Sequence, residues 1–415
     1  MLNNKVMLVL LSIFALLFIG CVENSFNKKQ IEVMTARRSI SSLASEPNNV
    51  VMMLPLTGEH AASSRAIRNG FLAAYYHDRK EHPNINIKIV DTNDKDILIL
   101  YRKIVFDGAE VIVGPLTKKE VEVLLNIKLS IPVIALNTLD DYRNNFSPNL
   151  YQFGLLPQDE AWQVADKMLK VGHNRVAIIA PNNYWGNKVA QAFRKRYERS
   201  SGRVVAVLDY DLTMKLAEQI CPFLARDAAK LCMPQKYNNM KAYVSPNDSM
   251  NRRQDINAIF LVATAVQARQ IVPLLKFYYA GDLPIYAISS IYSGVIAPDL
   301  DQDINGVHFC DTPWVLQNSV NLNADLQAIY QQIRILWADD IIKYPRLYAL
   351  GIDAYNLSSR LNEFVNSRKS AFESASGRLY LDRFNHIYRE LSWAEFNNGI
   401  PVITLSVDDQ VNIYD

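Results

Sequence analysis

The 415-residue chain has no H-E-x-x-H, G-x-S-x-G, Walker loop or C-x-x-C, and its six histidines, His60, His77, His82, His173, His308 and His386, are scattered. Each absence removes a chemistry that depends on a fixed spacing: zinc hydrolysis, an exposed serine elbow, a phosphate cradle, dithiol exchange. No catalytic residue, metal or cofactor is therefore expected. Its sole S-x-x-K, Ser25 to Lys28, lies in a polar N-terminal stretch where nothing would activate the serine. DLDQDING (Asp299 to Gly306) has a calcium-loop look, yet Ile304 stands where the sharp turn needs glycine and Cys310 where a bidentate glutamate is needed, so it reads as a polar surface loop. Charge of one sign is also lacking. The net value is +2, and the main basic run, FRKRYER (Phe193 to Arg199), fits a solvated helix face, so no nucleic-acid partner is expected.

Long apolar runs are scarce too, apart from Val6 to Ile19, which follows Lys5 and ends at Gly20-Cys21. A spanning helix needs about 20 apolar residues, so residues 1–20 read as a secretory leader. Gly20 before Cys21 resembles a bacterial lipobox, with Phe18 where leucine is most frequent. Cys21 is then the expected lipidation site; an uncleaved anchor or an ordinary leader is the alternative. Val22, where an inner-membrane lipoprotein would commonly carry aspartate, favours the outer membrane, facing the periplasm. In that oxidising compartment Cys221 and Cys232, close together in a polar stretch, are expected to pair, with Cys310 a buried thiol; three reduced core cysteines are the alternative.

From 21 to 49 the chain reads as a flexible tether with a span of about 30 Å. Beyond residue 50, short Val/Ile-rich strands (NVVMMLPL, INIKIVD, AEVIVGP, IPVIALN, RVAIIAP, VVAVLDY) alternate with amphipathic segments. Continuous apolar strands suit burial on both faces, and the alternation implies a doubly wound, mostly parallel α/β architecture. In the first helical segment Ile67, Phe71, Ala74 and Tyr75 share one face, and Gly70 on that side is expected to bring the helix close to the sheet. Residues 211–255, with the cysteine pair and SPNDSMNRRQD, are too long for a simple βα connection and read as an insertion. A helical stretch near Asn323 to Leu361 breaks at Tyr344-Pro345, and GRLYLDRFNHIYREL reads as a hairpin.

Open α/β sheets place ligands at the carboxyl ends of their strands. Those ends present Thr57, then Asp91-Thr92-Asn93, then Gly114, Pro115 and Thr117, then Asn137 and Thr138. Thr117 before KKEVEVLL suits a helix N-cap or, alternatively, a ligand carboxylate.

In order and content, MLPLTGEHAASSRAIRNGFLAAYY, VDTNDK, AEVIVGPLT and IPVIALNT resemble the first lobe of the type I periplasmic binding protein fold. RRQDINAIFLVA, LPIYAISSIYSG, INGVHFCDTPW and GRLYLDRFNHIYRELSWAEFNNGIP, with the lipobox, are similar to the LpoA/LppC family of penicillin-binding-protein activator lipoproteins. The resemblance implies two lobes joined by three crossovers near 152–155, 311–314 and 370–377. Lobe 1 is then 50–153 plus 314–370, and lobe 2 is 154–313 plus 371–415. It also implies a non-enzymatic protein that allosterically activates a class A penicillin-binding protein, a peptidoglycan synthase, with peptidoglycan as a further contact. Enteric members of the family carry a helical-repeat domain ahead of this fold, where here the tether stands. Amino-acid receptors of this fold present an acid from the second lobe; the matching stretch reads Ser289, Ser290, Ile291, Tyr292. A lipid-anchored receptor for an amino-acid-like solute is the competing expectation.

Overall fold

The computed structural model describes residues 47–140, 143, 146–227, 232, 252–316, 322–366 and 371–404. The expected leader, Cys21 and most of the tether lie outside the described residues, as do 228–231 and 233–251 of the insertion.

β1 (Asn49–Leu54) is buried along nearly its whole length, as its run of apolar residues requires. It pairs in parallel with β2 (Asn86–Asp91) and β3 (Val111–Val113). β4 (Val133–Ala135) and β5 (Leu150–Phe153) extend the sheet in parallel. The chain then leaves for a second sheet built on β6 (Arg175–Pro181), β7 (Arg203–Tyr210), β8 (Ala258–Leu261), β9 (Ile285–Ala287) and β10 (Val307–Asp311). Their order places β6 between β7 and β8, with β9 and β10 beyond.

The last strands divide between the sheets. Among the described residues, β11 (Phe372–Ser374), β12 (Gly377–Leu381) and β13 (His386–Glu390) close the eight-stranded first sheet; β14 (Ser392–Asn397) and β15 (Ile400–Ile403) close the seven-stranded second one. This corrects the expected third crossover and lobe boundary. The hairpin β12–β13 forms, but β13 pairs in parallel with β5, His386 opposite Gln152 and Ile387 opposite Phe153. Residues 372–390 thus belong to the first lobe, and the chain crosses over at Leu391. β5, LYQF, was not among the expected strands; four residues after a polar stretch carry little period.

The helices begin where the local chemistry satisfies their free N–H groups. α1 (Ala61–Asp78) follows β1. α2 (Ile97–Phe106) is capped by Asp96, whose carboxylate accepts from Leu98 and Ile99. α3 (Lys118–Leu125) starts on a capping box between Thr117 and Glu120, and α4 (Pro157–Lys170) has Pro157 in its first turn. α5 (Tyr184–Arg199), α6 (Leu216–Leu224) and α7 (Ala265–Leu275) serve the second lobe. The stretch 299–306, expected as a polar surface loop, instead begins in the single-turn α8 (Pro298–Asp301), with Asp301 buried and paired to Arg269 at 2.8 Å. After α9 (Pro313–Leu316), the helical region contains α10 (Ala324–Leu336), α11 (Ala338–Lys343), α12 (Pro345–Ser359) and α13 (Leu361–Asn366), with Pro345 opening α12 at the expected break.

Gly70 serves a different contact from the expected one. A Cβ there would lie 2.2 Å from the Tyr348 carbonyl oxygen, and one at Gly351 would lie 2.0 Å from that of Ile67. The two glycines let α1 and α12 meet backbone to backbone. Phe71 and Tyr355, both fully buried, pack edge to face at 5.4 Å beside them. Side chains of this size contribute about 1.5–3 kcal/mol each on burial. Cys221 and Cys232 are joined by a disulfide with Cα atoms 5.7 Å apart, and Cys310 is a buried thiol. Among the described residues no helix is long and apolar enough to cross a membrane.

Candidate functional site

The first-lobe loops at the strand ends are tied to one another. Thr57 Oγ1 donates to Asp91 Oδ2 at 2.7 Å, and the Leu56 N–H donates to Asp91 Oδ1 at 2.8 Å. Gly114 has φ of 101°, and a Cβ there would lie 2.0 Å from the Met53 carbonyl oxygen, so only glycine fits. The Gly114-Pro115 bond is cis. Thr117 takes the N-cap, leaving its hydroxyl engaged with Glu120. Asn137 Nδ2 donates to Leu116 O at 2.9 Å, and its Oδ1 accepts from Thr138 N–H. Gly114, Pro115, Thr117, Asn137 and Thr138 therefore sit together, but their polar groups already have partners in the protein.

The second lobe answers in the same manner. The Ser289 N–H donates to Glu160 Oε2 at 3.1 Å, Ser290 Oγ donates to Ala263 O at 2.8 Å, and Tyr292 is buried against Phe309 and Phe396. An acid does reach the stretch 289–292, Glu160 in the first turn of α4, but it is buried and bound to Ser289 and Arg389.

Around Glu160 a buried network joins the lobes. Arg389 of β13 reaches Glu160 at 3.3 Å and the Gly154 carbonyl at 3.2 Å. Gln163 of α4 donates to Arg389 O and accepts from Leu391 N–H, clasping the third crossover. Arg346, from the first-lobe helix α12, grips Asp311 at the end of β10 with both carboxylate oxygens engaged, and its Nη2 also donates to the Ser289 and Tyr292 carbonyls at 3.0 Å each. Burial raises the Glu160 carboxyl above its ordinary range although Arg389 opposes it, and burial also pushes the Cys310 thiol up. A second buried line runs from Thr138 through His386, 3.5 Å away, to Asp159 at 3.0 Å. Its residue types match a hydroxyl–imidazole–carboxylate relay, but Thr138 and His386 have no solvent exposure, so no substrate can meet the hydroxyl.

At the mouth of the cleft, Asp140 Oδ1 accepts from Lys118 at 2.6 Å, and its Oδ2 faces Lys188 Nζ at 3.4 Å and Tyr184 OH at 3.5 Å, both on α5 of the second lobe. Arg143 lies over the Trp162 ring of α4 at 5.8 Å.

Residue-by-residue reading missed Glu160, Arg389, Arg346, Asp311 and Asp140. Acids after Pro157 look like ordinary first-turn residues, and Arg346 lies just after the Tyr344-Pro345 break in a stretch that reads only as helical. Nothing local marks them as buried. Outside the cleft, a cavity of about 150 Å³ lies between α1, α10 and β11. At the end of α1, Asp78, Glu81 and His82 bring ligand-type atoms within 4.8 Å of one another. Asp78 there already accepts from Tyr355 OH at 2.9 Å and lies 3.9 Å from Arg360.

Two mostly parallel sheets, exchanged through three crossovers and closed around a polar hinge, define the two-lobed class of type I periplasmic binding proteins. The likeness to solved structures agrees. The C-domain of LpoA from Haemophilus influenzae, a regulator of PBP1A, matches with a TM-score of 0.67 at 23% identity, over 86% of this chain and 100% of that one. A putative branched-chain amino acid ABC transporter protein from Chromobacterium violaceum matches with a TM-score of 0.61 at 22% identity, over 84% of this chain and 99% of that one. Among curated proteins, the penicillin-binding protein activator LpoA of Vibrio antiquarius is 27% identical over 357 residues, 84% of this chain and 57% of its own length. That of Dickeya chrysanthemi is 28% identical over 332 residues, 76% of this chain and 46% of its own. The chain thus spans about half the length of the curated relatives it matches. It belongs to the LppC putative lipoprotein family, whose model matches residues 36–399.

Proposed function

We propose that this chain is a non-enzymatic activator of a class A penicillin-binding protein, lipid-anchored through Cys21 in the outer membrane and facing the periplasm, with peptidoglycan as a further contact. The observation that carries this reading is the state of the cleft. Thr57, Thr117, Asn137, Ser289 and Ser290 are each engaged by the protein's own groups, and Glu160 and Arg346 hold the backbone atoms of Ser289 and Tyr292 that a solute would otherwise meet. A receptor gains affinity from groups left for its ligand; a groove that satisfies itself is better suited to presenting a fixed surface. Membership of the family, and relatives named as activators across this same region, support the choice of partner. Activation then requires that the chain bind the active conformation of the synthase more tightly than the inactive one.

The test pairs two measurements on the full chain. A purified class A synthase should be retained by the immobilised protein and should cross-link glycan strands faster in its presence. A panel of amino acids and related metabolites should leave the melting temperature unchanged, whereas a true ligand at about 100 times its Kd would add about 2.7 kcal/mol. Failure to retain the synthase, together with a thermal shift from one metabolite, would overturn the reading in favour of a receptor.

A further inference from the structure

We infer that the interlobe cleft is held shut by a latch of its own side chains, in which Asp140 of the first lobe reaches Lys188 and Tyr184 of the second in place of an external ligand. The geometry separates two kinds of interlobe contact. At the hinge, Glu160, Arg389 and Asp311 are buried and cannot be lost without leaving a charge in the interior. At the mouth, side-chain exposure is 39% for Asp140 and 38% for Lys188, so water can replace the bond at little cost. A buried hinge and an exposed, weak clasp between the same two lobes permit one motion, opening about the hinge.

The clasp is built to stay aligned. Lys118, on the same lobe as Asp140, holds Oδ1 at 2.6 Å and leaves Oδ2 turned toward α5. On the other side, Lys188 lies 5.5 Å from the Tyr184 ring, which keeps ammonium and phenol together at the start of α5. Lys118 foremost, and then Lys188, hold the Asp140 carboxyl below its ordinary range, so the clasp remains charged down to mild acid. It is therefore released by salt rather than by protons. This inference concerns the lobes alone and stands whichever partner the protein serves.

Nitroxide labels at Lys119→Cys and Asn187→Cys, both on exposed positions flanking the clasp, report the mouth distance in the full chain carrying Cys21→Ser. In the otherwise unsubstituted protein at low salt, one short separation should dominate, and it should lengthen toward 1 M salt, where the screening length falls to about 3 Å. Asp140→Ala, and separately Lys188→Ala with Tyr184→Phe, should raise the open fraction about two- to fivefold and abolish the salt response. Arg194→Ala, which cuts the exposed pair with Glu198 inside α5, should change neither. Melting temperatures close to that of the parent establish that the variants are folded. Distance distributions for Asp140→Ala that superimpose on the parent at both salt concentrations overturn the inference, as does equal opening in Arg194→Ala.

Discussion

Arg346 shows how much one side chain can decide. Its guanidinium satisfies both oxygens of the fully buried Asp311 and two carbonyls of the β9 loop, a fork geometry that lysine cannot reproduce. Arg346→Met should therefore destabilise the protein by about 3–5 kcal/mol in denaturant unfolding, because the buried Asp311 charge is left with only the Thr312 N–H as a partner among the described residues. Replacing both residues, Arg346→Met with Asp311→Leu, should recover part of that loss. A double variant no more stable than the single one would show that the pair is not what holds this part of the hinge. Thr117 illustrates the opposite outcome, in which two readings were open in the sequence and the local structure chose the plain one. Its hydroxyl caps α3, so it has little left to offer a ligand.

Among the elements, the α1–α12 contact depends on having no side chain at two positions. Helix propensity by itself makes Gly70→Ala favourable by about 1 kcal/mol. The Tyr348 carbonyl 2.2 Å from the new Cβ reverses the sign, since backbone cannot turn aside as a flexible side chain can. Gly70→Ala should lower stability by about 1–3 kcal/mol in urea unfolding; a gain would mean that the helices can separate freely. The sequence placed Ile67, Phe71, Ala74 and Tyr75 on one buried face of α1 correctly, because period is a local property. It assigned Gly70 to the sheet rather than to α12, because nothing local identifies the element lying opposite.

Over the whole molecule, the lobes are distinct sheets with a shared interior. One continuous apolar cluster contains Val50 and Phe71 from the first lobe together with Ile259 and Phe309 from the second. Unfolding should accordingly be a single cooperative transition, with calorimetric and van't Hoff enthalpies in agreement; two resolved heat-absorption peaks would show that the lobes melt independently. The βα rhythm was enough to determine a doubly wound, mostly parallel α/β architecture, because burial on both sheet faces leaves its mark within a few residues, while the two lobes and the family followed from the resemblance carried by stretches such as RRQDINAIFLVA and INGVHFCDTPW. The tertiary structure alone decided which sheet receives β13, which acid faces Ser289 and what closes the cleft. Those depend on residues far apart in the chain, such as Asp140 with Lys188 or Glu160 with Arg389, and an ion pair formed by folding has no local pattern to announce it.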